Sequence, residues 1–144
     1  MASNANRKPG TGTWTYRSLL NNPDLSVDFN SLEFGRGNLK IEIAESGALT
    51  GKIYDTGWEL ELKGSFQYGS PATLWFQGTG IVSGSLWIYD YLCYLVPQIP
   101  DGVNQVPAMT GSVTRAIPHP DGQGGTSPAG VVASFYAVLQ SETK

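Results

Sequence analysis

The chain has a single cysteine, Cys93, so no disulfide can form within it and no oxidising compartment is required. It also has a single histidine, His119, and one His with one Cys cannot build a structural zinc site. Charge is scarce: 15% of residues are Asp, Glu, Lys or Arg, against roughly 25% in an ordinary domain. Nine basic side chains against twelve acidic ones leave no basic stripe for phosphates or anionic lipid, so neither nucleic acid nor a membrane surface is an expected partner. No run of about 18 apolar residues is present to cross a bilayer as a helix. The segment MASNANRKPG has no apolar signal-peptide core and reads as a disordered tail over residues 1–10, with a cytoplasmic location expected on that ground. Phosphate-loop chemistry is missing too, because Gly10-Thr11-Gly12 and Gly78-Thr79-Gly80 precede no helix.

What is present is glycine, 18 residues of it, with four Trp, seven Tyr and five Phe. At 144 residues the chain fits one domain, expected over 11–144. Apolar and charged residues alternate in Leu39-Lys40-Ile41-Glu42-Ile43 and again in Trp58-Glu59-Leu60-Glu61-Leu62-Lys63. A period of two places one set inside and the other in water. Turn residues divide these runs at Glu45-Ser46-Gly47-Ala48, Asp55-Thr56-Gly57, Gly69-Ser70-Pro71, Ser83-Gly84 and Pro100-Asp101-Gly102. The pattern predicts strands near 12–17, 27–34, 38–44, 48–54, 57–68, 73–80, 85–96, 110–117 and 130–140. Arg17–Asn22, stopped by Pro23, is the best position for a short helical turn. About eight short strands at regular spacing predict an all-β fold, a closed antiparallel up-and-down barrel whose closure removes exposed edges.

Gly12-Thr13-Trp14 opens the first strand, and Gly47-Ala48-Leu49-Thr50-Gly51 lies at a hairpin tip. These elements resemble the calycin superfamily, the eight-stranded barrels of lipocalins and avidins, and look most like the avidin–streptavidin branch. The resemblance covers about the first 65 residues and implies a barrel with an interior cavity. It does not carry over biotin binding. Thr15-Tyr16-Arg17-Ser18 lacks the polar contacts that avidins place after their Gly-x-Trp. The residues after Gly51 are out of step with the family's ligand contacts, and Asn21–Gly37 is foreign to avidins. Lipocalins place an Arg on the last strand against the Trp; here 130–140 has none, and Arg115 lies one strand earlier.

In Leu86–Val96 both faces are apolar, with Trp87, Tyr89, Tyr91, Cys93 and Leu95 on one, and Leu86, Ile88, Asp90, Leu92, Tyr94 and Val96 on the other. Residues 130–140 behave alike. A homo-oligomer formed through 85–96 and 130–140 would cover the outer face, as would a loop from Val96–Ala108 or 118–130 folded over it. Asp90 reads as a carboxylate inside an apolar strand. Such a group is either tied to Arg115 or backbone amides, or serves as a general acid or base with Tyr89 or Tyr91 orienting a substrate. Trp14 reads as a plug at one barrel end, Cys93 as a small buried hydrophobe, and His119 as a loop residue with no partner for a catalytic triad.

The expected function is binding of a small apolar or aromatic molecule inside the barrel. Trp58, Trp75, Trp87, Tyr89 and Tyr91 supply the walls, and Asp90 or Arg115 fixes orientation, with no metal and no cofactor. A cofactor-free cyclase or isomerase using Asp90 and a tyrosine, and a self-assembling structural module, are the alternatives.

Overall fold

The computed structural model describes residues 9–140. Eight strands form one closed antiparallel barrel: β1 (Gly12–Leu20), β2 (Glu33–Ile43), β3 (Ala48–Asp55), β4 (Trp58–Gln67), β5 (Thr73–Val82), β6 (Ser85–Leu95), β7 (Ala108–Arg115) and β10 (Val132–Val138). The order is a meander closed by β1 pairing with both β2 and β10. Between β7 and β10 the chain makes a separate two-stranded ribbon, β8 (His119–Pro120) with β9 (Thr126–Ser127). The barrel and its closure were both expected from the two-residue alternation. The expected tail over 1–10 falls almost wholly outside the described residues.

Two local expectations fail. Of the strand expected over 27–34, only Glu33 and Phe34 are extended, as the start of β2: the Asp28 carboxylate accepts from the Asn30 amide at 3.1 Å and caps a 3-10 turn over Phe29–Leu32. An Asp that can bond its own backbone competes with the sheet ladder, although Val27 and Phe29 alternate correctly. Nor is Arg17–Asn22 helical. Arg17 to Leu20 continue β1, pairing with Tyr136 to Ala133 of β10, with a register shift against β2 between Ser18 and Leu19. Where both neighbours offer a ladder, the sheet prevails over local preference.

Turn chemistry sets the register. Val82 pairs with Ser85, so Ser83-Gly84 is a two-residue loop, and both residues have positive φ (50° and 83°). That is the type I′ turn whose twist suits paired strands, and glycine takes such an angle without strain.

Inward positions differ between the two ends. Near the start of β1 the interior is packed with Trp14, Leu39, Ile41, Leu49, Leu62, Leu74 and Met109, each 1% exposed or less. Trp14 donates its indole N–H to the Gly10 carbonyl at 2.9 Å and closes this end, as expected for a plug. Towards the other end, Gly35, Gly78 and Gly80 take inward positions where a side chain would otherwise project. A Cβ at Gly78 would press on Leu62 and Tyr91 at 3.2 and 3.3 Å. Eight strands enclose a space that side chains can just fill; here Gly78 makes room for Leu62 and Tyr91, and part of the space beside Gly35 stays empty. No helix among the described residues is long and apolar enough to cross a membrane.

Candidate functional site: an aromatic cavity with a tethered rim

The empty part is a cavity of about 260 Å³, open at the end of the barrel opposite Trp14. Its walls come from β1 (Tyr16, Ser18), β2 (Phe34, Gly35, Arg36), β3 and β4 (Ile53, Trp58, Leu60), and β5 and β6 (Val82, Trp87, Tyr89, Tyr91). An engineered cavity of about 150 Å³ suffices for benzene, so the space suits a bicyclic aromatic.

Aromatic packing fixes the walls. Tyr91 stacks on Phe76 with ring centroids 4.9 Å apart, and meets Tyr16 and Phe135 edge-on at 6.1 and 5.9 Å. Burial pushes both the Tyr16 and Tyr91 phenols well above their ordinary value of 10.0, so each stays protonated in the folded barrel. Ser18, fully buried beside Tyr16, donates to the Gly35 carbonyl at 3.4 Å.

The rim is tied by one polar cluster. His119, on the β8–β9 ribbon, stacks on Trp87 with centroids 3.9 Å apart and planes 10° from parallel. Its Nδ1 lies 2.8 Å from the Pro120 carbonyl, which can only accept, so Nδ1 carries the proton. In the neutral ring Nε2 is then the acceptor, and the Tyr89 hydroxyl donates to it at 2.8 Å. The same hydroxyl oxygen accepts from Arg115 Nε at 2.9 Å. Arg115 also donates to the Pro128 carbonyl at 3.1 Å, and its guanidinium lies 4.9 Å from the centre of the Phe34 ring. Tyr89 is thus both a wall of the cavity and the knot that holds the ribbon to the barrel.

Trp58, Trp87, Tyr89 and Tyr91 come together at the cavity. Arg115 stands behind Tyr89 rather than on the wall itself. Asp90 and Trp75 do not belong to the cavity. Both point outward, Asp90 accepting from Gln77 Nε2 at 2.8 Å and Trp75 being 66% exposed. The expectation of a desolvated Asp90 fails because the outer face of β6 is apolar yet open to water, with Leu92 56% exposed. Nor does Asp90 pair with Arg115. The 118–130 segment does not cover that outer face; it packs on the rim through His119. Cys93 is buried with its thiol pushed up to about 12 by burial, and its Sγ lies 3.7 Å from Met109 Sδ, consistent with a packing role.

Sequence reasoning missed Tyr16, Ser18, Phe34 and His119. Tyr16 and Ser18 were legible in principle, since they share the parity of Trp14 on β1. His119 was not: its partner Tyr89 is 30 positions away, and Pro-His-Pro has no periodicity to read. No set of three or more metal-ligating side chains comes together among the described residues.

Compared with known proteins, the chain matches no family model, no curated protein and no solved structure.

Proposed function

We propose that the barrel binds one small, mainly apolar or aromatic molecule in the cavity between Trp58, Trp87, Tyr89 and Tyr91. The observation that carries this reading is a space of about 260 Å³ with aromatic walls and an open mouth, inside a barrel whose other end is sealed. Concave, mostly apolar space with a few fixed polar groups is the common form of a small-molecule site. Two tryptophans on the wall give the test. Titration with naphthalene-sized hydrophobic compounds should quench tryptophan fluorescence at one molecule per barrel, and Val82→Phe, which fills the space, should abolish it. Absence of a saturable response across such a panel overturns the proposal.

A cofactor-free enzyme is the second reading, favoured by one observation. Tyr89 bridges His119 and Arg115 at the cavity mouth, so a proton donor, an acceptor and a fixed cation meet beside bound ligand. In this reading Tyr89 and His119 take the role that Asp90 cannot, being outside.

We also read the barrel as calycin-like, supported by the Gly12-Thr13-Trp14 opening of β1 and the plug it supplies. Self-association belongs to the same proposal. The exposed apolar row is centred on Trp75 and Leu92, cross-strand partners on β5 and β6. The outward row of β7 (Thr110, Ser112, Thr114) separates it from Tyr136 and Val132 of β10. Association through β6 therefore extends onto β5 more readily than onto β10.

A further inference from the structure

The polar groups of the cavity wall are bonded within the protein or stand at the mouth, apart from the hydroxyl of one buried residue, Tyr91. Tyr89 donates to His119, Ser18 donates to Gly35, and the Tyr16 hydroxyl has Ser18 beside it. Arg36, the only formally charged residue on the wall, is exposed at the mouth and ion-paired with Glu33 at 2.8 Å. Trp58 and Trp87 are half-buried at the mouth, with water in reach of their indole N–H groups. Tyr91 is different. It is 3% exposed, lines the cavity, and makes ring contacts only: among the described residues nothing pairs with its hydroxyl. A phenol that must stay protonated is a donor in search of an acceptor, and one that lines a cavity with no protein partner can take that acceptor from a ligand.

We propose that the ligand is neutral and carries a carbonyl or ether oxygen, which accepts a hydrogen bond from Tyr91 while its apolar body lies among Trp58, Trp87 and Leu60. This rests on the cavity being a ligand site. Neutrality follows from the wall. An anion would leave water for a space whose only cation is already paired, and Arg115 is turned to Tyr89, Pro128 and Phe34. A cation would find no carboxylate on the wall at all, Glu33 lying outside it. Burying an unpaired charge is far costlier than burying a hydrogen-bonded carbonyl.

The test uses three probes of one shape on the full chain: 2-acetonaphthone, 2-ethylnaphthalene and 2-naphthoate, titrated by tryptophan quenching against wild type and Tyr91→Phe. The ratio of ketone affinity to hydrocarbon affinity should fall about fivefold to tenfold in Tyr91→Phe, the worth of one neutral hydrogen bond. The hydrocarbon should bind both proteins within about twofold, which also shows the variant folded. Naphthoate should bind wild type at least tenfold more weakly than the ketone. An unchanged ratio overturns the Tyr91 contact, its hydroxyl then being satisfied by cavity water. Naphthoate binding as well as the ketone overturns neutrality. Both outcomes leave the cavity as a ligand site; failure of all three probes removes that reading instead.

Discussion

The two ends of this barrel are built from the same strands and do opposite things. At the Trp14 end, inward positions are mainly Leu, Ile and Met, a Trp seals the opening, and the Thr11 hydroxyl is buried without a partner. At the Tyr91 end, aromatic rings join Ile53, Leu60 and Val82 around a cavity, and the Tyr91 hydroxyl has no protein partner among the described residues. The first end is filled with side chains, and the second leaves a concave surface. Such a division is expected where a function needs space that folding would otherwise fill.

Trp14→Ala should break the contrast most severely. Removing a fully buried indole costs about 3–5 kcal/mol, and its hydrogen bond to Gly10 goes with it. Trp58→Ala, at a half-buried wall of existing space, should cost less than half as much. Equal losses in urea unfolding would mean that the two ends are equally packed.

Alkaline pH acts on the other end. Tyr16 and Tyr91 have phenols raised above 10.0 in the fold, so the unfolded chain gives up these protons first. Their contribution is fully present below pH 10.0 and is lost as pH climbs from there towards the folded values. Unfolding midpoints should therefore fall steeply above pH 10.0, less steeply in Tyr91→Phe, and a flat profile would contradict the burial of these hydroxyls.

A smaller effect is expected at the rim. His119→Ala removes the stacking partner of Trp87 and the acceptor for Tyr89, at about 1–2 kcal/mol. It should alter Trp87 fluorescence and raise hydrogen exchange in the β8–β9 ribbon while leaving the Trp14 end unchanged. Protection lost evenly around the barrel would deny the ribbon its separate tether. Asp90→Asn should do least, within about 0.5 kcal/mol and with no change in ligand affinity, as for other surface positions. A large loss of binding would return Asp90 to the site.

How much of this the residues announce follows from what each signal measures. Alternation reports which side of a strand a residue takes, and it puts Trp87, Tyr89 and Tyr91 on one face of their strand; the plug role of Trp14 comes from its Gly-x-Trp setting instead. It does not report whether the outer face is wet. Asp90 reads as buried because Leu86, Ile88, Leu92 and Tyr94 surround it in sequence, whereas Leu86, Leu92 and Tyr94 are exposed to water. Trp75 reads as a wall residue from its ring alone, but it shares the outward parity of Gln77. Alternation is also silent on ribbons that fold back, so the contact of His119 with Tyr89 and Trp87 lay beyond it. The 3-10 turn at Phe29–Leu32 was lost to a single capping carboxylate, Asp28.

The most direct measurement is a set of intermolecular NOEs between bound 2-acetonaphthone and the aromatic side chains. Contacts to Tyr91, Trp58 and Trp87, with none to Trp14, are the expected result. Contacts confined to Trp75, or a ligand touching Trp14 through the sealed end, would contradict a cavity opening at the Tyr91 end as the seat of function.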